Sequence, residues 1–252
     1  MAGRKQADEY DGERNAAGQC EGRGTYKFVS GSVYKGECKA NNKEGRGTYT
    51  WKEGDVYKGE YKADNKEGRG TYTWKEGDVY EGEWKADKME ANNKEGHGSV
   101  YKFASGSVYK GEFKDNKSEG QGISTYANKD VYEGEYKADN KEGRGIYRWK
   151  EGDVYEGEWK ADKMEGQGTY LYASGNIEVG FYKAGKEVGE SVKWTADERS
   201  AWQMQDGKEV KTISREEAER NVKRLGLPMP VRREGKWAAG QPTPAGWLPA
   251  GW

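Results

Sequence analysis

A glycine pair spaced G-x-G recurs seven times in this chain, at Gly22/Gly24, Gly45/Gly47, Gly68/Gly70, Gly96/Gly98, Gly120/Gly122, Gly143/Gly145 and Gly166/Gly168. Successive pairs begin 23, 23, 28, 24, 23 and 23 residues apart. Between them lies a second element, Y-x-G-x-aromatic, as in Tyr57/Gly59/Tyr61, Tyr80/Gly82/Trp84, Tyr132/Gly134/Tyr136 and Tyr155/Gly157/Trp159. Self-similarity at so fixed a period means an array of small units, each of which buries its apolar side against the next.

Each unit reads as two strands. In GRGTYTW, alternation puts Gly45, Gly47, Tyr49 and Trp51 on one face and Arg46, Thr48 and Thr50 on the other. In VYKGEYK, Tyr57, Gly59 and Tyr61 share a face, with Val56, Lys58 and Glu60 opposite. The connection KEG suits a three-residue hairpin with Gly54 in the left-handed region. That turn sets Tyr49 against Tyr57, Gly47 against Gly59, Gly45 against Tyr61 and Arg46 against Glu60, a favourable cross-strand charge pair. The segment ADNKE is read as the loop to the next hairpin. Glycine inside a strand normally weakens it, so these glycines are expected to leave bare backbone on which a ring lies. A few half-buried rings cannot offset the entropy of ordering some fifteen strand residues (~1–2 kcal/mol each), so an isolated unit does not fold and stacking is compulsory.

Composition fits that reading. Only 33% of residues are hydrophobic and the mean hydropathy is −1.24, yet there are 18 Tyr and 10 Trp with 38 Gly, unlike a disordered chain, which is poor in aromatics. The 43 Lys and Arg balance 44 Asp and Glu, which removes the electrostatic case for nucleic-acid binding and weakens purely electrostatic membrane attachment. No apolar run spans a bilayer and the start has no signal-peptide stretch, so a cytoplasmic protein is expected, with cytoskeletal or membrane association as options.

The paired motifs at this period resemble the MORN (membrane occupation and recognition nexus) repeat over about residues 22–190. The resemblance implies an interaction platform rather than a ligand. The expected fold is all-β, an elongated twisted antiparallel sheet of tandem β-hairpins, with a short C-terminal α-helix and an extended tail. The expected organisation is a disordered segment 1–20, a seven-repeat array over 21–190, C-terminal strands and a capping helix over 191–226, and a Pro/Gly/Trp tail over 227–252. The array is irregular at 86–100, where the linker gains five residues and GHGSVYKF one more. That irregularity is either a kink with a bulge near Ser99 and Val100 or a tolerated surface insertion. Decay follows: Glu178 stands where Tyr155 stood one repeat earlier, and Ser191 replaces a glycine. Ser214 and Glu217 form a capping box and Gly226 a stop, with Ala218, Val222 and Leu225 along one side of the helix.

Candidate partner-binding residues are the rings of the aromatic face: Tyr49, Trp51, Tyr57, Tyr61, Tyr72, Trp74, Tyr80, Trp84, Tyr132, Tyr136, Trp149, Tyr155 and Trp159. Trp237, Trp247 and Trp252 are candidate anchors of the tail. No catalytic, cofactor or metal site is expected. The single histidine, His97, sits mid-G-x-G and reads as a polar-face residue, and one His with two Cys makes no credible metal cluster. Gly22 faces Cys38, which brings Cys20 near and makes a disulfide conceivable. The leading function is a non-enzymatic scaffold for protein partners, self-association included. The alternatives are a peripheral phosphoinositide-binding module, and a regulatory subunit of an enzyme acting in trans, since some 60 residues beyond the array hold no kinase or methyltransferase domain.

Overall fold

The computed structural model describes residues 7–90, 98–197, 199–233 and 236–238. The chain divides into two units, residues 1–117 and 118–252. Each is a run of consecutive hairpins in an open antiparallel sheet.

The first unit contains β1 (Glu9–Arg14), β2 (Cys20–Lys27), β3 (Val33–Lys39), β4 (Asn42–Thr50), β5 (Val56–Lys62), β6 (Asn65–Thr73), β7 (Val79–Lys85), β8 (Lys88–Met89), β9 (Ser99–Lys102) and β10 (Val108–Lys114). The pairing of β4 with β5 runs Gly45↔Tyr61, Arg46↔Glu60, Gly47↔Gly59 and Tyr49↔Tyr57, the register that the KEG turn dictates. The Trp51 amide donates to the Asp55 carbonyl at 2.9 Å, and Gly54 has φ 109°.

The second connection is tighter than a loop. Lys62 pairs with Asn65, so Ala63 and Asp64 alone turn the chain, at φ 47° and 71°. Both values are left-handed, the geometry of a two-residue hairpin turn. ADNKE is therefore a turn followed by strand. On that side the register passes from Gly59↔Gly70 to Glu60↔Glu67, which skips Gly68 and Arg69. Gly68 takes φ 58° to make this bulge. The two glycines of each G-x-G thus have different tasks, the first turning the backbone and the second lying under a ring.

Residues 9–14, assigned from sequence to a disordered segment, form β1. Tyr10-Asp11-Gly12-Glu13 is a Y-x-G-E element, half a repeat, and Gly12 pairs with Gly24 as Gly36 does. The bulge expected at Ser99 and Val100 is absent as well. Glu81↔Val100 and Tyr80↔Tyr101 continue in register, and Gly111 pairs with Ser99. Ser99, not Gly98, occupies the glycine position, which absorbs the extra residue. His97 lies outside the described residues.

The second unit contains β11 (Lys117–Thr125), β12 (Val131–Lys137), β13 (Asn140–Arg148), β14 (Val154–Lys160), β15 (Lys163–Leu171), β16 (Ile177–Lys183), β17 (Lys186–Trp194), β18 (Ala201–Gln205), β19 (Lys208–Ile213), α1 (Arg215–Leu225), β20 (Val231–Arg233) and β21 (Lys236–Ala238). The Ser214 side chain accepts from the Glu217 amide, and Gly226 ends α1 at φ 69°. Ile177, Val179, Val192, Trp194 and Ala201 pack with Ala218, Val222 and Leu227 of the helix region. Val179 and Val192 stand where Glu156 and Thr169 stand one repeat earlier, so the array ends by turning its polar face apolar to receive α1. Within the stretch expected as an extended tail, β20 and β21 pair as a small hairpin.

Candidate functional site

The tyrosine of each Y-x-G-E element is the centre of its repeat. Tyr34, Tyr57, Tyr80, Tyr132 and Tyr155 are 0–1% exposed. Each phenol donates to the carbonyl three residues on, for example Tyr57 to Glu60 at 3.0 Å and Tyr132 to Glu135 at 3.0 Å. Each ring covers its own glycine and one on the next strand, except that Tyr80 meets Ser99 there, the two hydroxyls hydrogen-bonded at 3.1 Å. A Cβ on Gly70 would stand 2.6 Å from Tyr57 Cζ. The second aromatic packs edge-on: Trp84 lies 5.3 Å from Tyr57 and 5.2 Å from Tyr80, at 82° and 86°. Tyr61, Trp84, Tyr136 and Trp159 are 4–7% exposed.

This corrects the expectation for eight of the candidate binding residues. Tyr57, Tyr61, Tyr80, Trp84, Tyr132, Tyr136, Tyr155 and Trp159 are the core of the sheet, not a surface left open by it. Glycine removes the side chains that would hold the rings off the backbone, so a single sheet buries them without a second layer.

The other five candidates, Tyr49, Trp51, Tyr72, Trp74 and Trp149, are half-buried. In the first unit they belong to a continuous ladder that also includes Tyr26, Phe28, Tyr101 and Phe103. Neighbouring centroids in it are 4.4 to 5.6 Å apart. The second unit carries its own, Tyr147–Trp149–Tyr170–Tyr172. Among the proposed tail anchors, Trp237 lies in β21, while Trp247 and Trp252 lie outside the described residues.

Two features escaped the sequence reading. The lysine of NKEG sits on the ring side, because the two-residue bulge preserves the alternation: Lys66 pairs with Tyr61. Its ammonium stands 4.6 Å from the Trp84 ring and 4.9 Å from that of Tyr72, with Trp51 and Tyr57 each at 5.7 Å. Burial lowers its pKa, and the ring faces partly replace the lost water. Lys141 is enclosed alike by Tyr126, Tyr132, Tyr147 and Trp159. The second feature is the aspartate that closes the hairpin turn, after a glycine in three repeats and after Lys129 in the fourth: Asp55, Asp78, Asp130 and Asp153 each accept from a tyrosine of the following repeat at 2.7–2.8 Å. The recurrence of both residues was visible, but their direction depended on the bulge and on the pairing of successive hairpins.

The opposite face is polar. Arg23, Arg46 and Arg69 pair with Glu37, Glu60 and Glu83 at 3.7, 3.8 and 3.3 Å. Cys20 and Cys38 are buried free thiols. Burial, with Cys20 beside it, pushes the Cys38 thiol up to about 12, so it is an inert thiol. Near the end of the array Ser191 bonds both Glu178 (2.9 Å) and Glu187, and Tyr172 donates to Glu178 at 2.6 Å. Among the described residues no helix is long and apolar enough to cross a membrane.

The MORN repeat family model matches seven consecutive segments, residues 16–33, 34–56, 57–79, 80–108, 109–131, 132–154 and 155–177. No match to a curated protein was found. Among solved structures the chain is similar to the G-box domain of the microcephaly protein CPAP, at 12% identity over 76% of this chain and 98% of that one, TM-score 0.48. It is also similar to the TCP10 domain of Danio rerio CPAP, at 10% identity over 80% and 93%, TM-score 0.44. A third is the SAS-4 TCP domain of Drosophila melanogaster in complex with a proline-rich motif of Ana2, at 12% identity over 73% and 97%, TM-score 0.41.

Proposed function

This chain belongs to the MORN-repeat family, and from that membership we propose that it is a non-enzymatic scaffold that holds a partner protein along its half-exposed ring ladder. The observation that carries this reading is the continuity of Phe28, Tyr49, Trp51, Tyr72 and Trp74. Rings that are rigid, half-desolvated and contiguous are the side chains on which interfaces concentrate their energy. Polar side chains of the repeat, by contrast, hold its own turns, as Asp55 does, or lie among its own rings, as Lys66 does. A cytoskeletal, ciliary or membrane-associated complex is the setting we infer. The phosphoinositide reading is second, because interfacial anchoring needs rings and cations on one side, whereas Trp51 and Trp74 lie opposite the exposed Arg23, Arg46 and Arg69.

The test is affinity capture from native cells with the full chain, its Trp51→Ala/Trp74→Ala variant and an exposed-lysine control, Lys62→Ala. A partner retained by the wild type and by Lys62→Ala but lost by the double variant, with circular dichroism unchanged, supports the ladder. Equal capture by all three overturns it. Flotation with phosphoinositide vesicles that fails at physiological salt keeps the order of the two readings, and strong flotation reverses it.

A further inference from the structure

The balance of 43 basic and 44 acidic residues is not kept locally. On the polar face of the first unit lies a groove of about 800 Å³. Arg23, Lys35, Arg46, Lys58 and Arg69 line it, against the acids Glu60 and Glu81. A smaller hollow of about 660 Å³ in the second unit is lined by Glu135, Glu142, Glu158 and Glu165 against Arg144 and Lys160. One letter of the repeat adds a further difference between the units. Y-K-G-E at Lys35 and Lys58 becomes Y-E-G-E at Glu133 and Glu156.

The basic groups are also available. The side chains of Arg23, Arg46 and Arg69 are 83, 83 and 55% exposed. Their glutamates bond them at 3.3–3.8 Å, exposed pairs of the weakly held kind. A guanidinium has five N–H donors, and one carboxylate leaves most of them unused. Lys35 and Lys58 are exposed and in no ion pair among the described residues. In the second unit, the same face closes over Val179 and Val192 under α1, so this side of the repeat sheet accepts an added element.

Spacing selects the occupant. The three arginines stand on alternate strands β2, β4 and β6, so they are ~9.6 Å apart along the sheet, with Lys35 and Lys58 on the strands between. A polypeptide in the polyproline II conformation rises ~3.1 Å per residue with three residues per turn. It therefore presents every third side chain on one side at ~9.3 Å intervals. A β-strand alternates sides and cannot do this. We propose that the polar face of the first unit is a docking groove for an extended acidic peptide that carries a carboxylate at every third residue. The site is separate from the ring ladder, which lies on the other face.

The experiment is fluorescence anisotropy of the full chain with two labelled peptides of about a dozen residues and identical composition. In one, Glu stands at every third position among Pro and Gln; in the other, the Glu residues are clustered. The expected result is about tenfold tighter binding of the spaced peptide, weakening as salt rises, and about a tenfold loss in Arg46→Glu/Lys58→Glu. Trp51→Ala leaves this binding unchanged, which separates the result from the ladder. If the double reversal fails to fold, Arg46→Gln and Lys58→Gln are read singly. Equal affinity for both peptides, or indifference to the Arg46 and Lys58 changes, overturns the proposal. So does binding of phosphatidylcholine vesicles doped with a phosphoinositide through the same residues while the peptides fail. A dimer, lost on the same substitutions, with no peptide binding, overturns it in favour of a second copy's acidic face.

Discussion

The phenol of Tyr72 donates a 2.7 Å hydrogen bond to Asp55, seventeen residues earlier in the chain. The other Asp55 oxygen accepts from the Lys75 amide at 3.0 Å. One carboxylate thereby holds the turn of its own repeat to the turn of the next. The Lys75 amide first, and then the Tyr72 hydroxyl, lower the Asp55 pKa. A depressed carboxyl adds stability above the unfolded value near 3.8 that disappears as pH falls through the folded one. Asp55→Ala is expected to cost about 1–2 kcal/mol at neutral pH. Thermal melts of variant and wild type should converge at acid pH; a gap that persists there would show that the carboxylate's charge is irrelevant.

The ring-on-glycine contact predicts a sharp contrast between two glycines. Gly70→Ala would put a methyl 2.6 Å from Tyr57 Cζ, in a packed row with no room to yield, and is expected to cost about 3 kcal/mol. Gly54→Ala meets only the Lys75 Cβ at 3.3 Å, although its φ of 109° disfavours alanine, and should cost about 1 kcal/mol. Urea unfolding of the two variants decides it; comparable losses would mean that backbone conformation, not the ring, requires glycine at both places.

Lys66 fills a cage that other repeats fill differently. Met164 holds the equivalent place against Trp159, and Met89 against Trp84. Lys66→Met should therefore change stability by less than about 1 kcal/mol, while Lys66→Glu, which turns an anion toward the ring faces, should cost about 2 kcal/mol or more. Melting temperatures that rank the two variants in the opposite order would refute the cage as a source of stability.

Glu187 makes the end of the array sensitive to pH. Burial first, and then the charge of Glu178, push its carboxyl up to about 7. The Ser191 hydroxyl lies within hydrogen-bond reach of both carboxyls, and its bond to Glu187 offsets part of that rise. A raised carboxyl binds its proton more tightly when folded, so the stability it contributes is complete below the free value near 4.5. It is lost as pH rises through about 7. Allowing for partial exposure, the loss is about 1 kcal/mol. Glu187→Gln should abolish this decline between pH 5 and 8 in chemical unfolding. A wild-type stability that rises over the same interval contradicts the assignment.

The repeat, the hairpin register and the capped helix were legible in the sequence because they depend on local periodicity. The KEG turn with Gly54 leaves one pairing of GRGTYTW with VYKGEYK, and Ser214 with Gly226 bounds α1. β1 was missed and its stretch assigned to a disordered segment, although Tyr10-Asp11-Gly12-Glu13 repeats the Y-x-G-E element. Tertiary structure decided which side chains remain exposed and which charges stand together. Tyr57 and Trp51 look alike in a repeat. One lies on the bare backbone of Gly59 and Gly70 and is fully buried, while the other stands beyond the glycines and keeps an open edge. The bulge at Gly68 carries Lys66 among the rings, and stacking aligns Arg23, Arg46 and Arg69 into a row that a total of 43 against 44 conceals. Burial and electrostatic fields depend on neighbours some twenty residues away, and only the paired sheet brings those neighbours together.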